Sequence, residues 1–266
     1  MARRSLDDCR VLITGASSGI GREIALAFAR RRAHLLLTAR RTELLKDLAA
    51  ECRQLGGAAE VVAGDVTDAQ CRHALVQKAS ELGDGLDVLV NNAGVSAHGR
   101  FSVSDEATLR HIMEVNFFAA AELTRNALPL LRRGRQPAIV NIGSILGHRG
   151  LPLNSEYSAS KFALRGWHES VRAELAGEGI DMLLVSPGTT RTEFFNHVLA
   201  KSEALPWGET AGIVPAAVAR ETMRALARGR REIFPNWRGR ALVLANRLTP
   251  GIVDHVMKRL GRRKQP

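Results

Sequence analysis

Seven short runs rich in Val, Ile and Leu recur along the chain, at residues 11–13, 35–38, 61–62, 88–90, 138–142, 182–185 and 233–234, with segments of helical length and pattern between them. In the first such segment Ile24, Ala25, Phe28 and Ala29 mark one face at i, i+1, i+4 and i+5, and in the next Leu44, Leu45 and Leu48 mark another. Alternation of this kind closes into parallel strands joined by right-handed crossovers, because each crossover helix packs back onto the sheet it leaves. The chain is therefore expected to adopt an α/β fold: a single doubly wound parallel sheet of about seven strands with helices on both faces, plus a basic C-terminal helical extension. Ligands of such a sheet sit at the carboxyl ends of its strands. No repeat, low-complexity stretch or Pro/Gly-rich linker divides the first 235 residues, so residues 1–235 are expected to form one domain and residues 236–266 a basic amphipathic extension.

Composition agrees with that assignment. A chain of 266 residues with 45% hydrophobic content can bury an ample core, which excludes disordered and fibrous classes. Arg3, Arg4, Asp7, Asp8 and Arg10 precede the first apolar run without the hydrophobic stretch of a secretory signal, so a cytoplasmic protein is expected. Cys9, Cys52 and Cys71 are odd in number and lack metal-ligand spacing; reduced thiols are expected rather than disulfides or a zinc site. The net charge of +11 is concentrated at the C-terminus, where residues 228–266 hold eleven Lys or Arg against Glu232 and Asp254.

Two constellations carry chemistry. Directly after the first run comes Thr14-Gly15-Ala16-Ser17-Ser18-Gly19-Ile20-Gly21, with a helix expected from near Arg22. Glycines there permit a tight turn and close backbone approach, and the free N–H groups and dipole of the helix face a pyrophosphate. Further on, the only tyrosine of the chain, Tyr157, stands four positions before Lys161, with Ser144 thirteen positions upstream at the end of an apolar run. Residues i and i+4 share a helix face, so the Lys161 ammonium is expected to pull the phenol down from its usual value of about 10 toward working pH. A phenol so tuned trades protons with an alcohol or ketone, whose oxygen Ser144 can also hydrogen-bond.

The Gly-x3-Gly-x-Gly turn, Asn91-Asn92-Ala93-Gly94 after the fourth run, Asn116, Ser144, Tyr157-x3-Lys161 and Pro187-Gly188 together resemble the short-chain dehydrogenase/reductase family in its common single-domain form, over residues 10–234. The resemblance implies a Rossmann-type fold and an oxidoreductase with a catalytic tetrad of Asn116, Ser144, Tyr157 and Lys161. Ser144 would polarise the carbonyl, Tyr157 deliver the proton during reduction, Lys161 hold nicotinamide-ribose hydroxyls, and Asn116 seat a water that links Lys161 to solvent. The cofactor would lie along Gly15, Ser17, Ser18, Gly19, Ile20 and Gly21, against Asp65-Val66 at the adenine and Asn92, Ala93 and Gly94 further along. Tyr157 and Lys161 would also touch it, and Pro187, Gly188, Thr190 and Thr192 would close the nicotinamide side.

NADP(H) is expected over NAD(H). The second strand runs into Leu37-Thr38-Ala39-Arg40-Arg41, where Ala39 stands at the position of the acidic residue that holds a ribose 2'-hydroxyl in NAD enzymes. Arg40 and Arg41 offer guanidinium forks suited to a phosphate. Phe194, Phe195, Val198, Leu199, Leu205 and Trp207 fall in the stretch that serves the family as a substrate lid, which points to an apolar carbonyl or alcohol. His98, His148 and Asn154 lie near the site by motif position; each is expected at the surface, with a substrate contact as the alternative.

The expected activity is NADP(H)-dependent interconversion of a secondary alcohol and a ketone. The rivals are a 3-oxoacyl-carrier-protein reductase and, from another class, a non-catalytic dinucleotide sensor or scaffold. The resemblance implies a homodimer or homotetramer. Beyond Phe234, Ile252, Val253, Val256, Met257 and Leu260 follow a helical spacing with Lys258 and Arg259 elsewhere, and Thr249 with Pro250 is expected to start that helix. Such a tail suits an anionic membrane surface with the protein peripheral to it, packing on its own or a neighbouring subunit, or an acidic partner such as an acyl carrier protein. No module that reads nucleic acid is present.

Overall fold

The computed structural model describes residues 4–191, 199 and 212–262. Its centre is a seven-stranded parallel sheet of β1 (Arg10–Thr14), β2 (His34–Ala39), β3 (Ala58–Ala63), β4 (Val88–Asn91), β5 (Ala138–Ile142), β6 (Asp181–Val185) and β7 (Glu232–Ile233), in the spatial order β3-β2-β1-β4-β5-β6-β7. The strand order reverses between β1 and β4, where Val11 pairs with Val88 and Ile13 with Val90. Adjacent crossovers leave the sheet in opposite directions there, which opens a crevice at the carboxyl ends of the two strands.

The crossovers are α1 (Gly19–Ala29), α2 (Thr42–Gln54), α3 (Ala69–Ser80), α4 (Glu106–Met113), α5 (Ala119–Leu131), α6 (Ser155–Leu175) and α7 (Pro215–Ala227). Successive strand side chains point to opposite faces, so each strand feeds two cores. Val11 and Ile13 of β1 join Ile24 and Phe28 of α1, Leu45 and Leu48 of α2, and Val218 of α7. Leu12 joins Leu75 of α3, Leu123 and Leu130 of α5, and Leu175 of α6 on the other side. Burial of each such Leu or Ile stabilises the sheet by about 1.5–3 kcal/mol. The runs at 61–62 and 233–234 lengthen to six residues in β3 and shift to two in β7. Helix α1 begins at Gly19, three residues before its expected start, because Gly19 with φ +59 completes the turn into the helix.

Two departures from regular geometry matter for the site. Helices α4 and α5 are one continuous rod interrupted by a π turn at Glu114–Phe118, in which the Ala119 N–H reaches the Glu114 carbonyl. Beyond β7, α8 (Trp237–Leu248) and α9 (Pro250–Arg262) fold back onto the segment between β5 and α6. Asn236 caps α8 by accepting from the Arg238 N–H (2.9 Å), and Arg149 pairs with Asp254 of α9 (2.6 Å). As expected, α9 starts at Pro250, with the Thr249 carbonyl accepting from the Val253 N–H (3.2 Å), while the Thr249 hydroxyl donates back to the Ala245 carbonyl of α8 (2.9 Å). Of the readings open to the tail, packing on its own subunit is thus realised on one face.

Candidate active site

The crevice holds a cavity of about 690 Å³ that extends from the glycine-rich turn to Tyr157 and on to α8 and α9. At its first end two turns are locked together. The Thr14 hydroxyl accepts from the N–H groups of Asn92 and Ala93 (3.0 Å each), and the Asn92 amide donates to the carbonyls of Thr14 and Gly15 (2.9 Å each). Gly15 adopts φ +62, and a Cβ there would lie 2.8 Å from the Ala93 Cα. A Cβ on Gly21 would collide with the Asn92 side chain, so this glycine permits turn-on-turn packing and does not line the cavity. The result is a cradle of backbone at the N-terminus of α1, where N–H groups and the helix dipole favour an anion.

Arg41 lies across that cradle. Its guanidinium donates to the Ser17 hydroxyl (3.2 and 3.3 Å) and the Ser18 hydroxyl (2.6 Å), while Arg40 beside it is exposed. The cavity wall here comprises Ser17, Ser18, Gly19, Ile20, Ala39, Arg40 and Arg41, a donor set that fits a phosphate ester. Asp65 and Val66 form the neighbouring wall. Burial alone would raise the Asp65 carboxyl, but hydrogen bonds from the Thr67 N–H and hydroxyl (2.9 and 2.8 Å) and the charge of Arg40 hold it below its usual value.

At the other end Ser144 follows β5 and Tyr157 and Lys161 stand on the first turns of α6. Ser144 and Tyr157 share a side-chain hydrogen bond, and the Ser144 oxygen also accepts from the Leu146 N–H (3.1 Å). The Lys161 ammonium is buried, donates to the Ile142 carbonyl (2.9 Å) and lies 5.6 Å from the centre of the Tyr157 ring. Burial pushes the Tyr157 phenol up to about 12, against the pull of its bond with Ser144. Burial also pushes Lys161 down to about 8. The expectation of a phenol lowered by Lys161 is therefore corrected: burial raises it, and the ammonium is anchored to a backbone oxygen over the ring.

Asn116 sits in the π turn. Its amide donates to the Val95 carbonyl and the Ser160 hydroxyl (2.9 Å each), and its oxygen accepts from the Val95 N–H (2.8 Å). It does not line the cavity, but it borders the small space kept clear at Gly94, where a Cβ would lie 3.3 Å from the Asn116 Oδ1 and 3.8 Å from the Lys161 Nζ.

Pro187, Gly188 and Thr190 line the cavity; the Thr190 hydroxyl donates to the Gly188 carbonyl (3.1 Å). Thr192 and, of the expected lid, Phe194, Phe195, Val198, Leu205 and Trp207 lie outside the described residues. His98 and Asn154 reach the cavity wall and bond each other (2.8 Å). His148 does not: it is buried with Ser186 and Glu232 (3.0 Å each), its ring tilted by 57° to that of Phe234 at 5.1 Å. Neither the surface position nor the alternative of a substrate contact holds for His148, because its imidazole is buried toward β6 and β7.

Sequence reasoning missed the far wall, made by Leu146 and Leu151 with Leu242 of α8 and Met257 and Leu260 of α9. The spacing of Val253, Met257 and Leu260 was the available signal, since it marks an inward face without naming what that face meets.

Comparison with known proteins places this geometry. A family model described as short chain dehydrogenase matches residues 10–203. The chain is 32% identical to the ketoacyl reductase HetN of Nostoc sp. over 94% of its length and 88% of that protein's. It is 34% identical to the hydroxysteroid 11-beta-dehydrogenase 1-like protein B of Xenopus laevis over 97% of its length and 88% of that protein's. Among solved structures, an alcohol dehydrogenase from the archaeon Thermococcus sibiricus, complexed with 5-hydroxy-NADP, superposes with a TM-score of 0.75 at 26% identity, over 84% of this chain and 94% of that one.

Proposed function

The chain belongs to the short-chain dehydrogenase family and is thereby an oxidoreductase; from that premise we propose that it interconverts a secondary alcohol and a ketone with NADP(H), on an apolar substrate. The observation that carries this reading is the Ser144–Tyr157 hydrogen bond backed by buried Lys161, at one end of a cavity whose other end holds Arg41 against Ser17 and Ser18. When bound, the nicotinamide supplies the hydride to the carbonyl carbon, or accepts it in the reverse direction.

The chain's own residues do the rest. Ser144 and Tyr157 hydrogen-bond the substrate oxygen, and Tyr157 gives up its phenolic proton as negative charge develops there, so no alkoxide accumulates in an apolar wall. Lys161 would stabilise the resulting phenolate, and its remaining donors would hold ribose hydroxyls of the cofactor. Asn116 acts by position: its amide joins the π turn to Val95 and to Ser160 of α6. The space bordered by Gly94, the Asn116 Oδ1 and the Lys161 Nζ is where a relay water would return the proton from solvent.

NADP is preferred over NAD because β2 ends in Ala39 with Arg40 and Arg41 beyond it, and no carboxylate stands there to hold a ribose diol or repel a phosphate. The 5-hydroxy-NADP complex of the Thermococcus relative supports that preference. An apolar substrate follows from Leu146, Leu151, Leu242, Met257 and Leu260 in the far wall, and the Xenopus relative's name points the same way. The likeness to the Nostoc ketoacyl reductase keeps a 3-oxoacyl-carrier-protein reductase as the second reading. Assembly as a homodimer or homotetramer accords with the family's habit.

One screen separates these readings. Oxidation of NADPH is followed with a panel of lipophilic ketones and with acetoacetyl thioesters. Turnover of the ketones is expected; turnover confined to thioesters would replace the substrate assignment, and tight NADPH binding with no turnover on either would indicate a sensor.

A further inference from the structure

Helices α8 and α9 each have one face on the protein and one in solvent. The outward apolar residues are Trp237, Leu244 and Leu248 of α8, exposed by 74%, 53% and 72%, and Ile252 and Val256 of α9, exposed by 66% and 46%. In α8 they fall at i, i+7 and i+11, a narrow stripe, with Arg240 and Arg247 flanking it at i+3 and i+10. In α9, Ile252, Val256 and Arg259 fall at i, i+4 and i+7 on one helix face. The sole carboxylate of residues 236–262, Asp254, is already paired with Arg149 at 2.6 Å. Among the described residues no ion pair reaches Arg240, Arg247, Lys258 or Arg259. No described helix is long and apolar enough to cross a membrane.

We propose that this outer face of α8 and α9 docks on the surface of an anionic lipid bilayer, with the apolar stripe at the headgroup boundary and the flanking cations on lipid phosphates. The occupant follows from charge. A second copy of the chain would meet the face through a two-fold contact, which sets Arg240, Arg247, Lys258 and Arg259 against the same four cations of the other copy. An acidic protein would satisfy those cations and leave five large apolar side chains in water. An anionic bilayer satisfies both sets at once. The inner faces of the same helices line the cavity, so docking would bring its apolar wall next to the lipid phase. The proposal does not depend on the reaction assigned above.

The test is co-sedimentation of the full chain with vesicles of phosphatidylcholine, with and without phosphatidylserine. Pelleting with the phosphatidylserine vesicles, weak pelleting without them, and release by 1 M salt are expected, since screening shortens to about 3 Å there. Combined Arg240→Glu, Arg247→Glu and Arg259→Glu substitution should lower partitioning by about 100-fold at low salt. Leu248→Asp with Ile252→Asp should abolish it; all five positions are exposed, and unchanged thermal unfolding would show that the fold is kept. Equal pelleting with both vesicle types, or variants that pellet like the parent, would overturn the proposal. So would sedimentation velocity in which Leu248→Asp with Ile252→Asp splits an oligomer while the parent ignores vesicles, which would assign the face to a second copy.

Discussion

Tyr157 at about 12 and Lys161 at about 8 set the protons of the site in opposite directions. The phenol stays protonated through the neutral range, as a general acid must, whereas the charge of Lys161 is present below about pH 8 and lost as pH rises through that value. The kcat/KM for carbonyl reduction should therefore be level near neutrality and fall above pH 8; a profile flat to pH 10 would separate Lys161 from the step. Tyr157→Phe removes the proton donor while leaving Arg41, Ser17 and the glycine turn in place. Turnover should drop by about 10²- to 10⁴-fold with NADPH affinity retained, measured by single-turnover kinetics and by titration of bound NADPH. Arg40→Asp sets a carboxylate beside the phosphate cradle, so NADPH should weaken by about 10- to 100-fold while NADH holds or improves. An unchanged ratio of the two dissociation constants would remove Arg40 from that contact.

The π turn at Glu114–Phe118 shows what one irregular element contributes. An extra residue in the turn re-aims side chains, and here the Asn116 amide spans Val95 and Ser160, linking the segment that follows β4 to α6. Asn116→Ala leaves the buried N–H and carbonyl of Val95 without partners, so stability should fall by about 2–3 kcal/mol and turnover with it. Chemical denaturation reads the first effect and a steady-state assay the second; full stability in the variant would mean that water replaces the amide. The strands and the order of helices were legible because period-2 and period-3.6 patterns are local properties of the chain. The glycine turn and Tyr157-x3-Lys161 were legible because their spacing along the chain is their geometry. The π turn was not, since nothing in Glu-Val-Asn-Phe-Phe differs in hydropathy from an ordinary helical turn. The sign of the Tyr157 shift was not legible either, because it depends on how much water the fold removes, which adjacency to a lysine does not report. His148 was misplaced for a related reason: its chain position lies near Ser144, but its ring direction is set by β6 and β7.

At the scale of the whole molecule, polar staples hold distant stretches against one another. Buried Arg4 donates to the carbonyls of Gln136 (2.6 Å), Leu226 (3.1 Å) and Pro137 (3.2 Å) and pairs with Asp181 (2.7 Å), joining the N-terminus to α7 and to the ends of β5 and β6. Arg4→Met keeps the aliphatic stem but removes the donor to the Gln136 carbonyl and the pair with Asp181, while the Pro137 and Leu226 carbonyls keep the N–H groups of Asp181 and Gly229; it should lower the melting temperature by about 2–4 °C, read by calorimetry. An unchanged melting point would show that solvent reaches these groups freely. The proposed proton and hydride chemistry lies between Gly15 and Gly188, whereas Leu242, Met257 and Leu260 of the far wall come from the final two helices. On the proposed function, reactivity and selectivity are written in separate paragraphs of one text. A lineage with this architecture can diversify what it accepts by redrafting its closing lines alone, and a laboratory graft of those helices between siblings would retrace that history without disturbing the acid that does the work.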